Sequence, residues 1–302
     1  MKATVIGANG YIARNLIYLL KRSPIFDELY LYDREDKHKD GEGNYERINI
    51  LSHESVSRIK MDVDCIFMFV GKTGSADGFD NPDIFLDINE RALLYVLKEY
   101  VAQGSNAKLV FPSTRLMYDN NSYADEMEVA KTLKTIYAVN KLACENYLAT
   151  YHYVFGIEYV IVRICIPYGT LVPGASSYGT AEFMLGKANK RENITLYGDG
   201  SQRRTLTFVG DISRMLIEIS TDERCKNDTY NIGGEDYSLT EMAEVIAKAY
   251  GVAIEYVDYP QIAKRIESGD TVFNAEKLNN LFGMSYKVHF EDWVKKGNDA
   301  FR

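Results

Sequence analysis

The sequence predicts a doubly wound, mostly parallel α/β sheet followed by a smaller C-terminal α/β domain. Three observations predict it: short unbroken apolar runs, amphipathic stretches alternating with them, and a glycine turn at the first crossing between the two. Ala3–Ile6, Leu29–Tyr32, Cys65–Val70, Leu109–Phe111 and Tyr159–Ile164 are rich in β-branched or aromatic residues and, Thr4 and Arg163 apart, continuously apolar rather than alternating. Strands buried on both faces of a parallel sheet read this way. Between them, Tyr11–Leu20, the stretch from Pro82 to near Tyr100, and Thr132–Tyr151 carry helical patterns. Such alternation calls for right-handed βαβ crossovers.

After Pro167 the texture changes. Residues 170–179 include Pro173, Gly174, Ser176, Ser177 and Gly179 and read as a long loop. A helix over Ala181–Lys190, a strand over Ile194–Tyr197 and a turn at Gly198-Asp199-Gly200 follow. Ser238-Leu239-Thr240-Glu241 matches a capping box, which predicts a helix running to Tyr250 with Gly251 as its left-handed stop. Residues 1–167 plus 208–235 are expected to form the first domain, and 168–207 plus 236–302 the second.

Composition narrows the function. Of 302 residues, 46% are hydrophobic and 26% charged, the balance of a globular protein rather than a disordered or fibrous one. No apolar run approaches the ~20 residues that a membrane span needs. The start reads as a strand and turn rather than a targeting signal, so the cytoplasm is the expected location. Net charge is −8, with no basic run beyond Lys295-Lys296, which argues against nucleic acid as partner. Four scattered cysteines and four scattered histidines suggest neither a disulfide framework nor a metal site.

The first functional signal is Gly7-Ala8-Asn9-Gly10-Tyr11-Ile12-Ala13, between the first strand and the first helix. One glycine permits a tight turn, the next lets a pyrophosphate approach the backbone, and Ala13 allows close packing of helix on strand. An isolated glycine turn is a weak signal. Here the second strand ends at Asp33, placed to bind a ribose 2′-hydroxyl, and the combination points to a Rossmann dinucleotide site. The Asp33 carboxylate repels a 2′-phosphate, so NAD is preferred over NADP, although Arg14 or Arg34 could shield such a phosphate. Gly71-Lys72-Thr73 resembles the end of a P-loop, but Ile66 stands where that motif needs its first glycine.

The second signal is Tyr137-x-x-x-Lys141, a phenol and an ammonium on one helical face. An ammonium there is expected to lower the phenol pKa towards that of a working acid–base. With 23 tyrosines in the chain such a pair arises by chance, and its placement is what matters. The strand Leu109–Phe111 runs into Pro112-Ser113-Thr114, and open parallel sheets bind ligands beyond the carboxyl ends of their strands.

Together with Phe69–Lys72, Asn81-Pro82, Asn89, Ser113-Thr114-x-x-x-Tyr118, Arg163-x-x-x-Pro167-Tyr168-Gly169, Leu196–Arg204, Phe208-Val209-x-Asp211 and Tyr230–Gly234, these elements resemble the extended short-chain dehydrogenase/reductases. Within them the chain is similar to the nucleotide-sugar epimerase/dehydratase group, over nearly its whole length. The resemblance implies Thr114, Tyr137 and Lys141 as catalytic residues. It implies contacts to NAD from Gly7, Asn9, Gly10, Tyr11, Ile12, Asp33, Arg34, Val70, Gly71, Lys72, Asn89, Ser113, Tyr137, Lys141 and Ile166. Thr114 and the arginines Arg204 and Arg265 would hold the substrate, the arginines through its diphosphate. No metal is implied, and a homodimer is expected by analogy.

Two departures shape the expected activity. Arg115-Leu116 replaces the Asp-Glu of the dehydratases, and Ile166 stands where the group usually has a substrate-holding asparagine. The expectation is an NAD-dependent epimerase of a nucleoside-diphosphate sugar, inverting at C4 as UDP-glucose 4-epimerase does. The alternatives are an NAD(P)H-dependent 4-ketoreductase of a deoxysugar nucleotide and, from another class, a non-catalytic relative that binds RNA or a regulator.

Overall fold

The computed structural model describes residues 1–41, 43–177, 179–283 and 286–301. Tyr178, in the expected loop after Pro167, lies outside the described residues. The chain divides into two compact units. The first comprises Met1–Thr114, Thr135–Arg163 and Ser213–Tyr230, and the second Arg115–Lys134, Ile164–Ile212 and Asn231–Arg302.

A seven-stranded sheet organises the first unit. Its strands are β1 (Lys2–Ile6), β2 (Glu28–Asp33), β3 (Asn44–Arg47), β4 (Cys65–Met68), β5 (Lys108–Thr114), β6 (Tyr159–Ile164) and β7 (Asp228–Asn231), in the spatial order 7-6-5-4-1-2-3. β1 pairs in parallel with both β2 and β4, β2 with β3, and β4 with β5. The chain therefore winds outward from β1 in one direction, then restarts on its other side with β4. Ligands of open α/β sheets sit beyond the strand ends at that reversal. Every residue of β4 and β6 is buried, which is why these strands carry no polar alternation. The core packs Ile6, Ile66, Met68, Leu93, Val96, Leu97, Leu109 and Phe111.

The expected elements of this unit form with shifted ends. Helix α1 spans Tyr11–Leu20. The stretch after Pro82 is interrupted by a π-helical turn at Asp87–Arg91 before α2 continues over Ala92–Ala102. Helix α3 runs Ile136–Phe155, four residues later than the Thr132 expected, because the Thr135 hydroxyl caps it by accepting from the Ala138 amide. The strand expected over Leu109–Phe111 continues through Pro112 to Thr114. The strand Asn44–Arg47 was not expected, being short and polar.

In the second unit, the strands Glu235–Ser238, Arg203–Phe208, Thr271–Phe273 and Asn121–Ala124 lie side by side, with Ile166–Tyr168 also on Arg203–Phe208. The pairing of Thr271–Phe273 with Asn121–Ala124 places residues 115–134 in this unit, a segment assigned from sequence to the first domain. Tyr168 anchors an aromatic core with Phe208, Phe290 and Trp293 at centroid distances of 5.0–5.8 Å. Both halves of the Ser238/Glu241 capping box form, and the helix ends at Tyr250 with Gly251 left-handed.

Candidate active site

The glycine turn closes tightly on the first strand. Gly7 has φ +87°, and a Cβ there would lie 2.8 Å from the backbone of Phe69 and Val70, beyond the end of β4. Only glycine fits where β1 and β4 separate. Gly10 is the N-cap of α1, with no side chain capping the helix and no acidic residue in its first turn. That end suits a phosphate. Tyr11 and Ile12 open the helix half-buried, and Ala13 is fully buried beneath them.

Asp33 ends β2 beside this turn. Its Oδ2 accepts from the Asn9 amide at 2.9 Å and its Oδ1 from the Arg34 amide at 2.7 Å. A carboxylate has about four acceptor sites, so capacity remains for ribose hydroxyls. The Asn9 carboxamide donates to the Lys37 carbonyl and accepts from the Lys39 amide, pinning the loop after β2. Arg14 is not available to shield a 2′-phosphate: it is buried in a two-pronged ion pair with Asp40, at 2.8 and 2.6 Å. Arg34 is exposed. These residues fit a dinucleotide with a free ribose 2′-hydroxyl.

Beyond β4, Val70, Gly71 and Lys72 are held from the side. Asn89, in the π-helical turn, accepts from the Lys72 amide at 2.8 Å and donates to the Lys72 carbonyl at 3.1 Å. Its carboxamide therefore shapes the segment rather than remaining free for a ligand. The turn is itself tied to α3, since Glu90 accepts from Asn140 at 2.5 Å and from the Tyr147 hydroxyl at 2.9 Å.

Thr114, Tyr137 and Lys141 come together in the first unit. The Thr114 side chain lies close enough to the Tyr137 phenol to lower its pKa. Lys141 Nζ donates to the Pro112 carbonyl at 2.7 Å and lies 4.2 Å from the Phe111 ring and 6.0 Å from the Tyr137 ring. Burial pushes the Tyr137 phenol up to about 12, against a smaller lowering from Thr114. It pushes Lys141 down to about 8, with Cys144 and Glu145 opposing. The expected lowering of the phenol pKa is thus reversed in the free protein, because loss of hydration outweighs the lowering from Thr114.

Ser113 faces elsewhere. Its hydroxyl donates to Glu145 Oε1 at 2.5 Å, and Glu145 is gripped by Arg163 through Nε at 3.1 Å and Nη2 at 2.7 Å. Glu145 was missed from sequence, although the spacing Tyr137, Lys141, Glu145 marks one helical face. Ile166 is buried in the second unit with its side chain offering no polar atom. Any hydrogen bond it makes to a cofactor is through its backbone.

Also in the second unit, Arg204 is 2% exposed and donates to Glu267 Oε1 at 2.5 Å and to the carbonyls of Arg203 and Gly269. Arg265 is exposed on the short helix Gln261–Ile266, and its side chain makes no hydrogen bond or ion pair among the described residues. Arg115 donates through Nη1 to Ser268 Oγ at 2.8 Å. No cluster of residues able to hold a metal ion occurs among the described residues, and no helix among them is long and apolar enough to cross a membrane.

The family model described as "NAD dependent epimerase/dehydratase family" matches residues 3–233. The CDP-paratose 2-epimerase of Salmonella typhi is 25% identical, covering 99% of this chain and 98% of its own. The UDP-N-acetyl-alpha-D-glucosaminuronate decarboxylase of Bacillus cytotoxicus is 26% identical over 100% of this chain and 98% of its own. Among solved structures, the UDP-glucose 4-epimerase of Thermus thermophilus in complex with NAD superposes with a TM-score of 0.82 at 22% identity, covering 99% of this chain and 98% of that one. That likeness establishes the shared fold.

Proposed function

The chain belongs to the NAD-dependent epimerase/dehydratase family, and from that premise we propose that it epimerises a nucleoside-diphosphate sugar, at C4, through a transient keto-sugar. The observation that carries this reading is the gathering of Thr114, Tyr137 and Lys141 at the end of β5, with Lys141 one helical turn beyond Tyr137 and its ammonium 6.0 Å from the phenol ring. NAD, when bound, supplies the acceptor and donor of hydride. Gly7, Gly10 and the start of α1 would receive its pyrophosphate, and Asp33 its adenine-side ribose.

Tyr137 takes the proton of the sugar hydroxyl as the carbinol carbon is oxidised, and returns it after the sugar has turned. Thr114, beside the phenol, would orient the sugar oxygen and donate to the developing negative charge. Lys141 holds a positive charge beside the pair and would bond a ribose hydroxyl. Arg204 would anchor the diphosphate while the sugar moves. Arg115-Leu116, following Thr114, offers no carboxylate to act as acid or base for eliminating water, which favours epimerisation over dehydration.

The Asp33 carboxylate and the locked Arg14–Asp40 pair count against NADPH, and so against a ketoreductase. The test is incubation of purified protein with UDP-, dTDP-, CDP- and GDP-sugars, with NMR detection of the inverted sugar. Turnover without added cofactor, abolished in Tyr137→Phe with NAD still bound, is the expected result. Stoichiometric NADPH oxidation, or no turnover of any nucleotide sugar, would overturn it. A homodimer is proposed with it, supported by exposed Tyr153, Val154 and Phe155 at the end of α3. A monomer in sedimentation at micromolar concentration rejects that part alone.

A further inference from the structure

In the second unit the guanidiniums of Arg204 and Arg115 both lie within electrostatic reach of the Glu267 carboxylate, and Arg204 alone bonds it. Arg204 is buried and reaches Glu267 Oε1 at 2.5 Å through Nη2, while its Nη1 serves the carbonyls of Arg203 and Gly269. The Glu267 side chain is 26% exposed, against 2% for Arg204. Solvent therefore reaches the carboxylate before the guanidinium.

Arg115 stands half-buried beside this pair. Its Nη1 donates to Ser268 Oγ at 2.8 Å and more loosely to Thr271 Oγ1 at 3.5 Å. Among the described residues nothing bonds its Nε or Nη2. Burial and the neighbouring charge of Arg204 both work against its ionisation, lowering its pKa to about 10, with Cys165 and Glu267 opposing. It remains a cation at neutral pH. Burial holds the Cys165 thiol neutral. Among the described residues no carboxylate pairs directly with Arg115, and a desolvated charge is costly unless an anion joins it.

The chemistry of the donors identifies the anion. A guanidinium presents five N–H groups in a planar fork, and Arg115 uses only Nη1. The remaining edge matches phosphoryl oxygens in the two-pronged manner that favours arginine over lysine. Arg265, exposed and without a partner among the described residues, has no comparable setting.

We infer that Arg115 is the second arginine of the substrate's diphosphate seat, paired with Arg204, and that Glu267 is the carboxylate an arriving diphosphate displaces. This rests on the nucleotide-sugar reading above. It transfers to Arg115 the role that the resemblance gave to Arg265. It also makes Glu267 a competitor that sets how tightly the nucleotide is held.

The test is calorimetric titration of the full-length protein with UDP, uridine and inorganic pyrophosphate. Arg115→Gln is expected to weaken UDP about tenfold or more, the worth of one charge-assisted hydrogen bond, and to leave uridine unchanged. Arg115→Lys should recover only part of the loss. Glu267→Gln should tighten both UDP and pyrophosphate, and Arg265→Gln should bind UDP as the wild type does. If Arg115→Gln binds UDP like the wild type, or the loss appears in Arg265→Gln instead, the inference fails while the nucleotide-sugar reading stands. If the wild type binds none of UDP, dTDP, CDP and GDP, that reading falls first. Should Arg115→Gln not fold, the Glu267→Gln and Arg115→Lys titrations decide.

Discussion

Lys141 lies one helical turn beyond Tyr137 yet directs its ammonium to the Pro112 carbonyl, 2.7 Å away, with the phenol ring at 6.0 Å. The two groups are neighbours, and burial governs both. It raises the phenol to about 12 and lowers the ammonium to about 8. Neutral phenol and charged ammonium are therefore the dominant forms in the free protein at neutral pH. A working acid–base needs a pKa nearer the operating pH, so the site requires another positive charge. The ring of oxidised NAD carries one. The difference in tyrosinate absorbance between wild type and Tyr137→Phe should titrate near pH 12 without cofactor and at distinctly lower pH with NAD. An unchanged midpoint would remove Tyr137 from contact with the nicotinamide.

The same shifts make stability depend on pH with a definite sign. Lys141 falls from an ordinary 10.5 to about 8 on folding. Between those values the unfolded chain binds more protons, so this residue's contribution to stability rises with pH across that window. Tyr137 moves the opposite way, from 10.0 to about 12. The folded chain then holds the extra proton, and stability falls with pH above 10. Lys141→Met should flatten the first slope and Tyr137→Phe the second, read as urea midpoints against pH for each variant and the wild type. Parallel curves for wild type and Lys141→Met would show that the ammonium is not desolvated.

How far these features were legible from sequence depends on the distance over which each is specified. The Ser238/Glu241 box with its Gly251 stop is written within a few residues, and it formed as read. The glycine turn and Asp33 were legible because a strand–turn–helix unit imposes its own chemistry. Asn44–Arg47 escaped because its exposed, polar strand has no apolar pattern to show. The positions of Arg115 and Arg14 escaped for another reason. Their partners, Ser268 and Asp40, lie 153 and 26 residues away, and nothing local announces either pair.

The Arg14–Asp40 pair gives cofactor choice a handle. Asp33 repels a 2′-phosphate, and Asp40 keeps the nearest buried arginine neutralised. Asp33→Gly combined with Asp40→Asn removes the repulsion and releases a guanidinium. The double variant should bind NADP more tightly than the wild type by about tenfold or more, each charge contact being worth about 1.5–3 kcal/mol. Asp33→Gly alone should gain less. Fluorescence titration with NADPH decides, and equal affinity in the two variants would show that Arg14 stays clear of the ribose.

Glu145 tests whether the candidate catalytic strand end depends on a buried charge pair. It accepts from Ser113 and from two nitrogens of Arg163, and both partners of the ion pair are buried, at 3% and 8% exposure. Removing one partner of such a pair leaves a desolvated charge, at a cost of about 3–5 kcal/mol. Glu145→Gln should lower the melting temperature sharply, whereas Glu145→Gln with Arg163→Met should recover much of the loss, since no unpaired charge remains. Ser113 would still have lost a charged acceptor beside Thr114. Turnover in the double variant should therefore stay below wild type even where stability returns. Full recovery of both would reduce the pair to a packing element with no bearing on the strand end.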